Sequence, residues 1–484
     1  MIKDELAARI RANFPHPPTP EQENVVVRWT DFLCSPRADE AFLLTGYAGT
    51  GKTSLVGALV QTLRELGMPV VLLAPTGRAA KVFAQHAQAP AYTIHRRIYR
   101  QRTFSPQMDN FEQSPNPARS TLFLVDEASM VANEGLTGGY FGSGRLLDDL
   151  VHYVYAGPGC RLMLVGDEAQ LPPVGEELSL ALNPDALAGY GLEVTHCTLT
   201  QVVRQASASG ILWNATTLRS LIQRDEVFDA PRLRVKGFAD VCVVPGGELI
   251  EALEQSYHRC GTDQTIVVTR SNRRAVLYNN GIRSRILDCE EELQGGDPVL
   301  VAKNNYFWPG RNQGEGAEAE EPVMPFIANG DVAQVRRIRN ERSFYGFRFA
   351  DATLRFPDYG DAELDVTVLL DTLQGEAPAL TREQQERLFA SVCEDYPEIT
   401  NRRDLYQRVK NDPYYNALQL KYAYAVTCHK AQGGQWQHVY IDQGMVAPEM
   451  LTSDYFRWLY TALTRATERV FLVNWPEAQT SDGQ

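Results

Sequence analysis

The run Gly46-Tyr47-Ala48-Gly49-Thr50-Gly51-Lys52-Thr53 places glycines, a lysine and a hydroxyl at the spacing G-x-x-x-x-G-K-[ST]. Residues of these types can cradle a polyphosphate. Gly46, Gly49 and Gly51 let backbone N–H groups turn inward on phosphate oxygens, and a helix starting at Lys52 adds a favourable dipole. Lys52 would reach the β- and γ-phosphates and Thr53 would offer its hydroxyl to Mg2+, with Thr50 and Ser54 completing the loop and first turn. Downstream, Asp126-Glu127 follows an apolar run. Such a pair suits Mg2+ binding by Asp126 and water activation by Glu127. Alone it could equally cap a helix, but a phosphate loop in the same chain favours the metal reading. Gln170, in Gly166-Asp167-Glu168-Ala169-Gln170, is placed to feel the γ-phosphate. Gln22 keeps two readings, an amide that reads the adenine edge or a surface helix residue. The chemistry expected is that of a nucleoside triphosphate with Mg2+.

These residues need strands to carry them. Apolar runs at 41–44, 70–74, 121–125 and 162–165 read as buried strands, and Leu55, Leu59 and Leu63 recur at helical spacing after the loop. Strands alternating with helices predict a parallel sheet with its site at the strand C-termini. Residues 96–119 lose that periodicity and read as a small excursion. The α/β pattern restarts after about 206 with a strand at 265–269. Residues 291–420 carry short alternating segments that predict a small SH3-like antiparallel barrel, with a solvated acidic loop at 314–321 and two polar helices. The α/β pattern then resumes at 423–427 and closes with strands at 439–441 and 470–473. The division expected is a first lobe over 1–200, a second over 201–290 and 421–476 interrupted by the barrel, and a disordered polar tail at 477–484.

Lys plus Arg number 47 and Asp plus Glu 60, a net charge of −13 that argues against indiscriminate coating of duplex by charge alone. A local basic groove on an acidic body remains compatible with nucleic acid. The eight cysteines show no C-x-x-C pair or finger spacing and read as reduced thiols of a cytoplasmic protein. No long apolar run or leader appears, so no membrane is expected.

Lined up, these stretches resemble the superfamily 1 helicases of the 5′→3′ branch, the RecD-like and Dda-like DNA helicases. The resemblance covers about 19–205, 265–290 and 420–475. It identifies Gln22 with the Q motif, Pro75-Thr76-Gly77-Arg78-Ala79-Ala80-Lys81 with motif Ia and Thr93-Ile94-His95 with motif Ib. Asp126-Glu127 corresponds to motif II, the run from Gly166 to Gln170 to motif III and Arg204 to motif IV. Motif V resembles the run from Thr427 to Gln435, and motif VI Tyr460-Thr461-Ala462-Leu463-Thr464-Arg465. Val203 stands where an aromatic often precedes the motif IV arginine, and motif V carries Ala431, Gly434 and Gln435 where the family commonly has Ser, Ser and Glu.

The resemblance implies two RecA-like lobes, with Arg204 and Arg465 brought to the triphosphate by lobe two. It places Pro75, Thr76, His95, Thr427, His429 and Lys430 near a single DNA strand. The activity it implies is 5′→3′ translocation and unwinding at forks by a monomeric, cytoplasmic motor of bacterial or phage type, with replication or repair proteins as partners. An RNA helicase and an ATP-switched strand clamp are the rivals. Within the excursion, Phe104 either meets the fork as a stacking pin or packs the excursion onto lobe one. Lys52→Ala or Glu127→Gln is expected to lower strand-stimulated ATP hydrolysis by several orders of magnitude with folding intact. Steady-state ATPase assays check this, and activity within about tenfold of the parent would sink the assignment.

Overall fold

The computed structural model describes residues 2–101, 111–133, 142–203, 209–226, 229–311, 324 and 326–481. Lobe one is a six-stranded parallel sheet in the order Ala91–Thr93, Val70–Ala74, Leu122–Val125, Arg161–Gly166, Glu40–Gly46, Glu193–Leu199. Its inner strands are nearly continuous apolar runs because helices cover both faces, whereas the edge strand Glu193–Leu199 exposes Glu193, His196 and Thr198. Along Glu40–Gly46 the side chains alternate between two cores. Phe42 and Leu44 meet Trp29, Leu55 and Leu59 under helices Pro20–Leu33 and Lys52–Glu65. Ala41 and Leu43 face Leu147, Leu150 and Val154 of helix Leu146–Ala156.

Lobe two is a five-stranded parallel sheet in the order Val241–Val244, Ala466–Val473, Trp436–Asp442, Thr265–Thr269, Ala425–Thr427. Between its last two elements in that order the chain leaves to build a closed barrel from Pro298–Val301, Val332–Phe344, Phe347–Phe356, Ala362–Leu369 and Leu418–Tyr422. The final barrel strand thus runs two residues past the boundary read from sequence. Neighbours in the barrel are antiparallel except Ala362–Leu369 with Leu418–Tyr422. That parallel pair requires a crossover, and helices Arg382–Cys393 and Arg402–Lys410 lie within it. At the hairpin tip, Tyr345 and Gly346 have φ of 57° and 73°, the left-handed pair that two-residue hairpins favour.

One buried carboxylate fixes the barrel to lobe two. Asp297 accepts from Arg283 Nε at 3.1 Å and Nη2 at 3.0 Å, from Tyr424 OH at 2.8 Å and from the Gln294 N–H at 2.9 Å. These groups come from helix Asn272–Arg285, from the chain entering the barrel and from the chain leaving it.

The excursion is a short helix, Ile94–Ile98, followed by strands Tyr99–Gln101 and Phe111–Gln113 in an antiparallel pair. Phe104 lies outside the described residues, as does the acidic run at 314–321. Phe111, set aside in the sequence for its acidic neighbours, is buried against Tyr306 and Phe326 of the insertion at ring distances of 4.6 and 6.1 Å. Residues 477–481 depart from the disorder expected of the tail. Thr480–Ser481 pairs in parallel with Leu233–Arg234, held by Thr480 Oγ1 on the Glu477 carbonyl at 2.8 Å and by Gln443 Nε2 on Gln479 Oε1 at 2.9 Å.

Asp297→Asn is expected to destabilise the protein by ~3–5 kcal/mol, because it leaves Arg283 buried without its counter-charge. Arg283→Met with Asp297→Leu should recover little, since Tyr424 OH and the Gln294 N–H then lose their acceptor. Thermal denaturation of the two variants measures both effects.

Candidate nucleotide and strand sites

The phosphate loop turns on two left-handed glycines, Gly49 at φ 78° and Gly51 at φ 81°. Gly51 caps helix Lys52–Glu65, and a Cβ there would stand 2.7 Å from Gln22 Nε2. Lys52 Nζ donates to the carbonyls of Gly46 at 2.5 Å and Tyr47 at 2.9 Å, while Thr50 Oγ1 closes the turn on Tyr47 O at 2.8 Å. Burial pushes the Lys52 pKa down, and Asp167, Glu127 and Asp126 oppose that shift. Gly46 ends its strand, Thr53 is half-buried and Ser54 is exposed on the first helical turn.

Gln22 takes neither of its two sequence readings in a simple form. It is 1 % exposed, forms a capping box with Thr19, and donates from Nε2 to the Thr50 carbonyl at 3.0 Å while Oε1 accepts the Thr19 N–H at 2.9 Å. The amide therefore braces the phosphate loop from below.

Asp126 stands at the C-terminal end of Leu122–Val125, its Oδ1 accepting the Glu127 N–H at 2.9 Å. Burial and the Glu127 charge push its pKa up to about 7. Glu127 sits in the left-handed region at φ 51°, which turns its side chain out of the strand direction. Gln170 is buried, and its Oε1 has no hydrogen-bond partner among the described residues.

Lobe two completes this cleft. Arg465 is buried, donating to Thr461 O at 3.1 Å and Gly434 O at 3.4 Å, and its Nη1 lies 3.9 Å from Glu127 Oε1. Tyr460 OH accepts the Ala48 N–H at 2.9 Å and donates to Asp167 at 2.6 Å. Thr461 Oγ1 accepts the Leu171 N–H at 2.9 Å, Gln432 Nε2 donates to Leu171 O at 2.8 Å, and Arg457 donates to the Glu168 carbonyl. Tyr47 of the loop lies 4.4 Å under the Arg219 guanidinium and is packed in the lobe-two core. Arg204 lies outside the described residues.

Sequence reasoning assigned no role to Tyr460, Thr461, Asp167, Gln432 or Arg457. A signal existed for three of them. Arg457, Tyr460 and Thr461 recur at i, i+3 and i+4, hydrogen-bonding groups on one side of the largely buried helix Ser453–Leu463.

On the other side of the lobe junction, Thr76 caps helix Gly77–Ala87 by accepting the Ala79 N–H at 3.2 Å, directly after Pro75. Arg78 lies 4.1 Å over the Trp436 ring and its Nη2 donates to the Gln435 carbonyl at 3.5 Å, so motif Ia of one lobe touches motif V of the other. Lys81 donates to the Pro357 carbonyl at 3.0 Å and pairs with Asp358 at 3.5 Å, which brings in the barrel. Thr427 makes no capping bond, His429 is exposed, and Lys430 donates to Asn329 Oδ1 at 2.5 Å. Thr76, Arg78, Lys81, His429, Lys430 and Trp436 line one cavity of about 570 Å³. His95 is drawn elsewhere. Its ring packs 5.7 Å from Tyr99 and 6.4 Å from Phe326, and burial lowers its pKa to about 4, so it carries no charge toward phosphate at neutral pH.

A phosphate loop on one parallel-sheet lobe, closed by an arginine and a tyrosine from a second, defines a two-lobed P-loop nucleotide-binding fold. An AAA domain matches residues 20–227 and a UvrD-like helicase C-terminal domain matches residues 422–473. The ATP-dependent RecD2 DNA helicase of Deinococcus radiodurans is 36% identical over 274 residues, covering 54% of this chain and 34% of that protein. The RecBCD enzyme subunit RecD of Mycobacterium tuberculosis is 28% identical over 311 residues, 54% of this chain and 50% of that one. The ATP-dependent DNA helicase dda of Enterobacteria phage T4 is 28% identical over 339 residues, 66% and 70% of the two chains. A solved Pif1 helicase from Bacteroides in complex with ADP-AlF3 and ssDNA has a TM-score of 0.48 at 14% identity, covering 96% of this chain and 95% of that one. Over these segments the chain is similar to the RecD-like and Dda-like helicases. It spans about a third of the length of the RecD2 relative. No helix among the described residues is long and apolar enough to cross a membrane.

The raised Asp126 pKa sets a pH test on metal-free, nucleotide-free protein. The folded value, about 7, lies above the ordinary carboxylate value of ~4, so the native state holds the proton more tightly. Stability from this group is present at low pH and is lost as pH rises between those values. Asp126→Asn, which cannot ionise, should raise Tm relative to the parent at pH 8 and have no such advantage at pH 4. Differential scanning calorimetry at both values reads the difference.

Proposed function

We propose that this chain is an ATP-driven motor that moves 5′→3′ along single-stranded DNA and separates duplex ahead of it. The observation that carries this reading is the placement of Arg465 of lobe two 3.9 Å from Glu127 of lobe one. A triphosphate on the loop would then be enclosed by both lobes, and its hydrolysis would alter how they fit together. Glu127 is the base for the attacking water, and the unpartnered Oε1 of Gln170 accepts that water's other proton as a hydrogen bond. Lys52 and Arg465 neutralise charge that develops on the γ-phosphate, and the Tyr47–Ala48 segment reports the change to lobe two through Tyr460.

Thr53 and Asp126 would hold Mg2+. They are hard oxygen donors, and the resistance of buried Asp126 to ionisation beside Glu127 is what a divalent cation relieves. Bound there, the ion neutralises phosphate charge. The strand would lie along the cavity lined by Thr76, His429 and Lys430, where motifs Ia and V meet. DNA as substrate follows the RecD2 and dda relatives, which are DNA helicases by name, and the 5′→3′ sense follows the motif resemblance.

Fluorescent duplexes with a 5′ or a 3′ tail, in DNA and in RNA, test the proposal. Unwinding is expected only on 5′-tailed DNA, and activity solely on 3′-tailed duplex contradicts it. Arg465→Ala should retain nucleotide binding and lose about 10³-fold or more in turnover. Normal hydrolysis by that variant would remove the two-lobe mechanism.

A further inference from the structure

At the N-terminal edge of the lobe-two strands, the edge opposite the nucleotide, three side chains of different chemistry converge. Cys260 ends helix Leu249–Cys260, His438 sits on Trp436–Asp442, and Glu468 sits on the adjacent strand Ala466–Val473. One ligating atom from each lies within 4.8 Å of the other two. His438 is only 2 % exposed, and its Nε2 has no hydrogen-bond partner among the described residues.

The protons behind the ring determine what that nitrogen offers. Tyr440 OH donates its single proton to the Ala252 carbonyl at 2.6 Å. It can therefore only accept from Ser256 Oγ, 2.7 Å away, and Ser256 gives it its own proton. Ser256 Oγ is left as an acceptor, and His438 Nδ1, at 2.8 Å, must be the N–H that donates to it. In the neutral ring Nε2 is then a bare lone pair, buried beside a thiol and a carboxylate. A relay that fixes one ring nitrogen as donor and aims the other is the usual support of a metal-bound histidine.

We propose that Cys260, His438 and Glu468 form a zinc site, with the Ser256–Tyr440–Ala252 relay as its outer shell. One thiolate, one imidazole and one carboxylate suit tetrahedral Zn2+, with the fourth position left to water. Binding expels the thiol proton and draws Glu468 away from Arg259, to which it is paired at 3.6 Å in an exposed contact of little energy. The site joins the end of a helix to two neighbouring strands, so its occupancy staples the foot of lobe two.

Co2+ titrated into tag-free, metal-stripped full-length protein is the probe. One equivalent is expected to bind, with visible bands of a tetrahedral ion and a near-ultraviolet sulfur-to-cobalt band, and Zn2+ should displace it. Cys260→Ser should abolish the near-ultraviolet band, and Ser256→Ala should weaken binding by about 10–100-fold. Glu468→Gln should weaken it at least as much. Cys393→Ser, at the end of the crossover helix Arg382–Cys393, should change neither band nor affinity, and ATP turnover of Cys260→Ser should match the parent. Absence of the sulfur band, its survival in Cys260→Ser, or its loss in Cys393→Ser would mean an adventitious ion only and overturn the proposal.

Discussion

Tyr460 carries one hydroxyl from lobe two into lobe one, where it takes the Ala48 N–H of the phosphate loop and gives its own proton to Asp167. The remaining cross-lobe contacts are arranged around that bridge. Thr461, next along the helix, takes the Leu171 N–H, and Arg465, a turn further on, reaches toward Glu127. A buried donor or acceptor stripped of its partner costs ~1–3 kcal/mol. Parting the lobes would therefore leave Ala48 and Asp167 in need of new partners, which water or phosphate oxygens can supply at the loop and water at the carboxylate. Tyr460 thus couples the geometry of the loop to the distance between the lobes.

A second exchange of partners belongs to the cavity where motifs Ia and V meet. The body is acidic, at −13 overall, yet Arg78, Lys81 and Lys430 gather around one cavity. Each already has a contact, Arg78 on Trp436, Lys81 at Asp358 and Lys430 at Asn329. Burial lowers the pKa of Arg78 and of Lys430. Phosphates entering there would stabilise the charged forms while competing with those contacts. The cost of releasing them would moderate the hold on any polyanion that enters this cavity.

Much of this was legible in the chain. The buried strands and the phosphate loop announce themselves through uninterrupted apolar runs and glycine spacing, and the barrel through alternation. What escaped the sequence was contact between distant segments. Gln22 has the composition of a base reader, but its burial under Thr50 depends on how helix Pro20–Leu33 docks. Phe111 has acidic neighbours along the chain and aromatic ones in space, and only the latter decide its environment. His95 was read from its motif position, yet Tyr99 and Phe326 govern its charge. In the tail, polar composition hid a two-residue strand that depends on an edge formed by Leu233–Arg234.

The order of strands in lobe two has a consequence for how the chain reaches this state. Strand Thr265–Thr269 pairs with Ala425–Thr427, on the far side of the whole barrel, and Ala466–Val473 lies between Val241–Val244 and Trp436–Asp442. Until Ala466–Val473 is available, Val241–Val244 has no neighbour in its sheet. Lobe one draws its six strands from the first 199 residues and can close early, during synthesis. Lobe two must wait, and its late closure is made easier if the barrel has already condensed, because a folded insertion pinned at Asp297 brings Arg283 and Tyr424 together and shortens the loop that remains to be closed. Lobe two is thus the last to acquire a sheet, and the barrel acts as the clasp that holds its ends together until then.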